Sequence, residues 1–456
     1  MKTLLLTSSL LATQMLIAQP TNDELLQRIE KLESKQSISD KIKLGADYRF
    51  SYDNISYKMA SGDHVSNPSL LTNRLWLKMA YTEDDHLSFH AKLAYNKVFG
   101  QPNLTADNTF DTFDWFGSTT NTDNQLRVKE AYIDYKDSSL FGVNIPWSFG
   151  VGRRPTTYNQ LISLRDDEAA SSPLGHIVCA EFDGGHLGFN LAGVTGISGA
   201  YIKFAAGRGL STVQPSVYPT PLAKSGSNIN MFDTNIVFYS DKKLHTEMQL
   251  LHATNLVDIT NAGYDNTGTF SPANYNATLH TVGDMNLGSF MVKYTEPSLH
   301  NSIFFASFAI SQTDPKSGER MLGSSDKKTG TSYWVGAQTQ SFLSKRGKWG
   351  IEYNHGSKYF RLFTYSEDTV AGSKLAARGD AYEVYFTEYL YKELSCQIRY
   401  TYIDYKYTGS QGFFGSQTGT PMLISDLTQA PASGSDLAKN VVDTAQDIRI
   451  YLRYRF

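Results

Sequence analysis

The last ten residues, Asp447 to Phe456, alternate without interruption. Ile448, Ile450, Leu452, Tyr454 and Phe456 fall on one face of an extended chain, and Asp447, Arg449, Tyr451, Arg453 and Arg455 fall on the other, because side chains alternate with period two. One face carries no charge and the other is nearly all charge. Apolar and aromatic residues toward lipid, with polar residues toward an interior, is the pattern of a strand closing a membrane β-barrel. The pattern recurs along the chain. Ile42, Leu44, Ala46, Tyr48, Phe50 and Tyr52 alternate with Lys43, Gly45, Asp47, Arg49 and Ser51. Leu71, Leu75, Leu77, Met79 and Tyr81 predict a second strand, a turn at Glu83-Asp84-Asp85, and a third strand on Leu87, Phe89, Ala91, Leu93 and Tyr95. Further strands follow on Val143, Ile145, Trp147, Phe149 and Val151, on Leu187, Phe189 and Leu191, and on Leu394, Cys396, Ile398, Tyr400 and Tyr402. Between Val128 and Ala131 the phase slips, which predicts a bulge that turns Glu130, Tyr132 and Asp134 inward. Ile303 to Ile310 is apolar on both faces and needs cover from an inward loop or a neighbouring subunit.

The connections set the strand count. Short turns are expected near Asp84, Ser138, Gly184, Asp241, Pro297, Arg346 and Tyr391. Long connections are expected near Asp63, Phe113, Asp166, Gln214, Tyr264, Gly318, Thr369 and Gln417. Long external loops alternating with short periplasmic turns place both barrel ends on the periplasmic side. The fold class is therefore all-β: a single transmembrane antiparallel β-barrel of about 16 strands, an even number as bacterial barrels require, preceded by a short N-terminal helix. The count rises to about 18 if Thr278 to Glu296 hides a hairpin.

Ahead of the barrel, Met1-Lys2 and the apolar run to Ala18 read as an export signal cut after Ala18, although Leu16 is large for its position. Thr21 to Gln36 reads as a helix, with Leu25, Ile29 and Leu32 at a/d-like spacing. The expected organisation is a signal peptide over 1–18, a periplasmic helix or coiled-coil segment over 19–40, and an outer-membrane barrel over 41–456. The helix either joins subunits or packs as a solvated segment on the barrel. Composition narrows the class. Mean hydropathy is −0.35, and no stretch after residue 18 approaches the roughly 20 apolar residues of a spanning helix. With 28 Tyr and 25 Phe there is material for two aromatic girdles. A net charge of −3 argues against nucleic acid as a partner, and 2 Cys provide no disulfide framework.

The candidate chemistry lies on the inward face. Lys43, Asp47, Arg49, Arg74, Lys78, Lys92, Arg399, Arg449, Arg453 and Arg455 are the candidate pore-lining residues, with Glu352 and Asp447 opposing the cations. This local excess of positive charge predicts a weak lean to anions; ladders of paired charges that only brace the wall are the competing reading. Between Phe149 and Gly175, Gly152-Arg153-Arg154-Pro155 ends a strand, and a polar connection carries Arg165, Asp166, Asp167 and Glu168. Arg153, Arg154, Arg165, Asp166, Asp167 and Glu168 are the candidate constriction loop, folding into the lumen or lying over the outer surface. No catalytic residue, metal or cofactor is assigned. His86 and His90 share a strand face but sit ~13 Å apart. Asp258, Asn261 and Tyr264-Asp265-Asn266 lack a calcium-loop pattern. Cys179 and Cys396 fall on opposite parities and are not expected to bridge. His252 is the histidine an outer-membrane hydrolase would use.

Taken together, the Leu25/Ile29/Leu32 helix, the Lys129-to-Tyr135 segment, Gly152-Arg153-Arg154-Pro155, Phe182-Asp183-Gly184 and the terminal Phe456 make the chain resemble the porin-like outer-membrane β-barrel proteins of Gram-negative bacteria that carry a short N-terminal coiled coil. In layout it is also similar to phosphate-selective-type porins. The resemblance implies a 16-stranded, trimeric barrel with an inward loop, and transfers no particular solute. The expected function is passive diffusion of small hydrophilic solutes through an outer-membrane porin. The expected partners are outer-membrane lipid and lipopolysaccharide, those solutes, and two further copies in a homotrimer. The alternative is a structural or adhesive barrel with a closed lumen, binding through large loops such as Thr408 to Val442.

Overall fold

The structure is a computed structural model and describes residues 41–98, 126–155, 159–211, 228–344, 346–364 and 367–456. The expected signal peptide and the Thr21–Gln36 helix lie outside the described residues. The chain forms two units, Met1–Lys43 and Leu44–Phe456, and the barrel is built by the second.

Counting barrel strands only, β1 to β5 are Ile42–Met59, His64–Thr82, Leu87–Val98, Leu126–Asp137 and Trp147–Pro155. Strands β6 to β10 are Glu181–Asn190, Tyr201–Ser211, Asn228–Ser240, Leu244–Tyr264 and Phe270–Glu296. Strands β11 to β16 are Ser302–Pro315, Thr329–Gln340, Lys348–Gly356, Gly379–Tyr389, Leu394–Tyr405 and Val442–Arg455. Each pairs with its sequence neighbours, and the barrel closes where β16 meets β1, antiparallel, with Tyr454 opposite Tyr48 and Arg449 opposite Asp53.

Lipid-facing and lumen-facing positions separate as the alternation predicts. On β16, Ile448, Ile450, Leu452 and Tyr454 are 44–46% exposed, whereas Arg449 and Arg453 are 1–2% exposed. Phe304, Phe308 and Ile310 of β11 face outward, and Phe305 and Ala309 turn inward and are buried. The inward side of that doubly apolar strand is covered by an inward segment of this same chain, through Phe360, beside the inward-facing wall residue Trp334. The phase slip is a bulge: Lys92 pairs with Glu130 and Leu93 with Val128, leaving Lys129 as the extra residue.

Several connections differ from the sequence expectation. Phe270–Glu296 is one continuous strand of 27 residues, so no hairpin is hidden there and the count is 16 rather than 18. Gly184 is not a turn but lies inside β6, opposite Gly207 and Gly152. A Cβ at Gly184 would lie 2.1 Å from the Ala206 carbonyl oxygen, so this glycine serves close approach of strands rather than reversal. The reversal comes later, between Asn190 and Tyr201, where Leu191 lies beside a short helix, Ala192–Thr195. Val143 and Ile145 belong to the turn before β5. Two connections expected to be long, near Asp63 and Tyr264, are tight tips of long hairpins; β9 and β10 run well beyond the roughly 9–11 residues needed to cross a bilayer.

The interior is filled from the loop end. Residues 159–180, between β5 and β6, and residues 357–364 with 367–378, between β13 and β14, enter the barrel and join through a parallel pair, Val178–Cys179 with Phe363–Thr364. Cys179 therefore sits on an inward segment rather than on the wall, and it is not bridged to Cys396. Leu161, Ile162, Ile177, Phe360, Leu362 and Leu375 pack against wall residues Leu251, Met285, Phe305 and Trp334.

Ile450→Arg places a guanidinium on the lipid face and is expected to cost about 2–4 kcal/mol of barrel stability, read from the urea midpoint for folding into lipid vesicles. An unchanged midpoint would contradict the orientation of β16.

Candidate functional site: the barrel lumen

Strands β15, β16, β1 and β2 carry the inward arginines, and the fold supplies each with carboxylates or carbonyls. Asp47 accepts from Arg453 Nε at 2.9 Å and from Arg74 at 3.3 Å. Asp53 accepts from Arg449 Nε. Asp368, on the second inward segment, receives Arg49 through two bonds, one of 2.7 Å, and Arg74 at 2.5 Å. Its carbonyl accepts from Arg449 at 2.7 Å and Arg399 at 3.3 Å. Burial alone would raise the Asp368 carboxyl, but Arg49, Arg74 and Arg449 outweigh it and hold the group well below the usual carboxylate range.

The first inward segment is anchored in the same way. Arg165 lies 3.3 Å from Glu383 of β14, Arg453 donates to the Asp166 carbonyl at 2.8 Å, and Arg455 reaches Glu168 at 2.9 Å. Asp167 pairs with Lys348 and accepts from Tyr389. Lys374 joins Glu352 at 2.6 Å and Glu383 at 2.5 Å. Asp47, Arg49, Arg74, Arg399, Arg449, Arg453, Arg455, Arg165, Asp166, Asp167 and Glu168 thus belong to one wall-to-segment network. Most of it is buried.

The other predicted residues lie elsewhere. Lys43 is exposed and Lys78 half-buried. Lys92 pairs with Glu130 and faces the Trp76 ring at 5.2 Å, which Arg74 approaches to 3.8 Å. Arg153 and Arg154 are wall residues of β5 rather than part of a loop, because the strand continues to Pro155. Arg153 pairs with Asp183 and Glu181. Arg154 donates to Asp134 at 2.6 Å and to His186 Nδ1 at 3.1 Å, with its guanidinium 4.2 Å from the Tyr132 ring centroid. His90 stacks on that ring at 5.0 Å. The cluster lies over Gly150, where a Cβ would fall within 2.7 Å of Asp134, His186 and Arg154 alike. His90, Tyr132, Asp134, Arg154 and His186 are all only half-buried. The lumen face is thus largely buried and pinned on β9 to β16 with β1 and β2, whereas on β3 to β6 the Arg154 cluster stays half-buried beside the buried Lys129–Glu181 pair.

Sequence reasoning missed Asp53, Asp368, Lys374 and Glu383. Asp53 and Glu383 were accessible, since both continue the inward parity of their strands; Asp368 and Lys374 lie in segments with no period. His252 lies half-buried on the outward face, with Nδ1 2.8 Å from the Asn286 carboxamide oxygen and no serine among its described partners. His86 is exposed and bonded to the Lys136 carbonyl at 2.8 Å.

A closed antiparallel barrel, apolar and aromatic outside and charged within, defines an outer-membrane β-barrel protein. The chain belongs to the family described as "Protein of unknown function (DUF3373)", whose model matches residues 64–456. No curated protein matches it. Among solved structures it is similar to OprB of Pseudomonas putida (12% identity, 94% of this chain and 97% of that chain, TM-score 0.48). It is also similar to an anion-selective porin from Comamonas acidovorans (10% identity, 91% and 99%, TM-score 0.47). A third is OmpF of Salmonella typhi in complex with daunomycin (12% identity, 92% and 99%, TM-score 0.45).

Asp368→Ala leaves Arg49 and Arg74 without their shared carboxylate. It is expected to cost about 3 kcal/mol in urea unfolding, against less than about 1 kcal/mol for an exposed pair such as that of Lys327 with Asp314. Equal effects of Asp368→Ala and Asp314→Ala would contradict the pinning. On the first segment, burial pushes the His176 ring from 6.5 down to about 3, so it stays neutral between Ser307 and Ser332. The unfolded chain takes up that proton below about 6.5. Its contribution is thus full above that pH and declines as pH falls toward about 3. His176→Gln is expected to flatten the urea midpoint between pH 7 and 4; an unchanged slope would contradict the buried neutral ring.

Proposed function

We propose that this barrel is a porin that lets small hydrophilic solutes diffuse passively across the outer membrane. The passage runs along the β3-to-β6 side of the lumen, past Tyr132, Asp134, Arg154 and His186. One observation carries the reading: in an otherwise packed interior these polar groups are half-buried, with the Arg154–Asp134 ion pair lying over a glycine that keeps the wall thin. In this reading Arg165, Asp166, Asp167 and Glu168 narrow the lumen by anchoring an inward segment to the opposite wall. The lean to anions stays weak, because Arg49, Arg74, Arg449 and Arg453 are matched by Asp47, Asp53, Glu168 and Asp368. The barrel sits among lipid and lipopolysaccharide and assembles as a homotrimer, and no residue is assigned to catalysis.

A second reading is favoured by the apolar packing of Ile177, Phe360 and Leu375 inside the barrel. In it the lumen is stoppered and the loops spanning Thr408 to Val442 bind at the surface.

Planar-bilayer recording separates the two. The porin reading expects small stepwise conductances, with a reversal potential only slightly to the anion side of zero in a salt gradient. Gly150→Val, which pushes Arg154 and His186 off the wall, is expected to reduce the step at least twofold. Folded protein that gives no steps would overturn the porin reading in favour of the stoppered barrel.

A further inference from the structure

A cavity of about 700 Å³ lies at the loop end, away from the Arg154 cluster. The β1–β2 hairpin, the inward segment at Val370–Gly372, the end of β15 and the connection leading to β16 enclose it. Pockets for small molecules have volumes of roughly 300–1,000 Å³, mostly apolar walls and a few fixed polar groups, and this cavity fits each criterion. Ile55, Val370 and Tyr405 supply apolar surface and Tyr407 a further ring. The Tyr57 hydroxyl is committed to the Val370 carbonyl at 3.0 Å, and Tyr405 is hydrogen-bonded to Gln411. Gly372 sits at φ +108°, and a Cβ there would lie 2.6 Å from the Gln411 amide nitrogen, so a larger residue would intrude beside these polar groups.

The charge pattern selects the occupant. None of the described lining residues is Asp, Glu, Lys or Arg, although the network around Asp368 begins two residues before Val370. A charged ligand would lose hydration and gain no counter-ion, whereas an uncharged ring fits tyrosine and aliphatic walls. We propose that this cavity is a binding site for a small, uncharged aromatic molecule. The occupant touches β1 through Ile55 and Tyr57 and the inward segment through Val370, the two parts that Arg49 and Asp368 hold together. Binding therefore reinforces the pinned arrangement. The consequence that binding lowers conductance rests on the porin reading; the binding itself does not.

The test uses the full chain in lipid nanodiscs, with N-phenyl-1-naphthylamine as the uncharged probe and its anionic sulfonate relative, 1-anilinonaphthalene-8-sulfonate, as the charged comparison. Expected are saturable fluorescence enhancement at one site per chain and at least tenfold weaker binding of the sulfonate. Val370→Trp, which fills the cavity, should weaken binding at least tenfold, and Phe204→Trp on the lipid face should leave it unchanged. Asn440→Trp at the cavity mouth serves if Val370→Trp does not fold. Non-saturating partition into lipid, equal binding by the filled variant, or equal affinity for the sulfonate would each overturn the site. Saturable binding with unaltered single-channel steps would overturn only the coupling to passage.

Discussion

Guanidinium groups enclosed in a protein-filled space require partners, and that constraint organises this barrel. A wall bearing Arg49, Arg74, Arg399, Arg449 and Arg453 is stable in two circumstances: a lumen full of water, or a lumen full of acceptors. Here acceptors dominate. Asp47 and Asp53 come from the wall; Asp368, Glu168 and the carbonyls of Asp166 and Asp368 come from segments that enter it. Charges that suggest an open, basic pore when read strand by strand become, once paired across the lumen, the fastening of the two inward segments to the wall.

The two sides of the lumen follow from what each wall presents. Opposite the arginines, β9 to β12 offer Leu251, Met285, Phe305 and Trp334, and the inward segments meet them with Ile177, Phe360 and Leu362. The same segments are thus ionic on one flank and apolar on the other. On β3 to β6 the described ion pairs, Lys92 with Glu130, Lys129 with Glu181 and Arg154 with Asp134, run between wall residues rather than to an inward segment. There Gly150 lets Arg154 lie flat against the wall with Asp134 and His186, and the groups keep part of their exposure.

The outer surface was legible in the sequence because lipid imposes a strict demand on every second residue. From Ile448 to Phe456 and from Ile42 to Tyr52 the alternation alone assigned each side chain to its face, and the broken phase at Lys129 located a bulge. Turn chemistry was less reliable. Asp183-Gly184-Gly185 carries a turn's composition, yet its glycines serve close strand contact, and the hairpins ending near Asp63 and Tyr264 hid their tips inside long overhanging strands. The inward segments were the least legible. Arg165 to Glu168 stood out by charge, but nothing local in residues 357–378 signals that Asp368 meets Arg49 from more than 300 positions away. Such partners are set by closure of the barrel, which no window of sequence contains.

Hydrogen–deuterium exchange of the folded protein in lipid, resolved by peptide, tests the central claim most directly. If the buried ion pairs hold the two segments inside the barrel, backbone amides of residues 159–180 and 367–378 exchange as slowly as those of the wall strands β14 to β16. Exchange in these segments as fast as at the exposed hairpin tip, residues 265–269, would contradict the account.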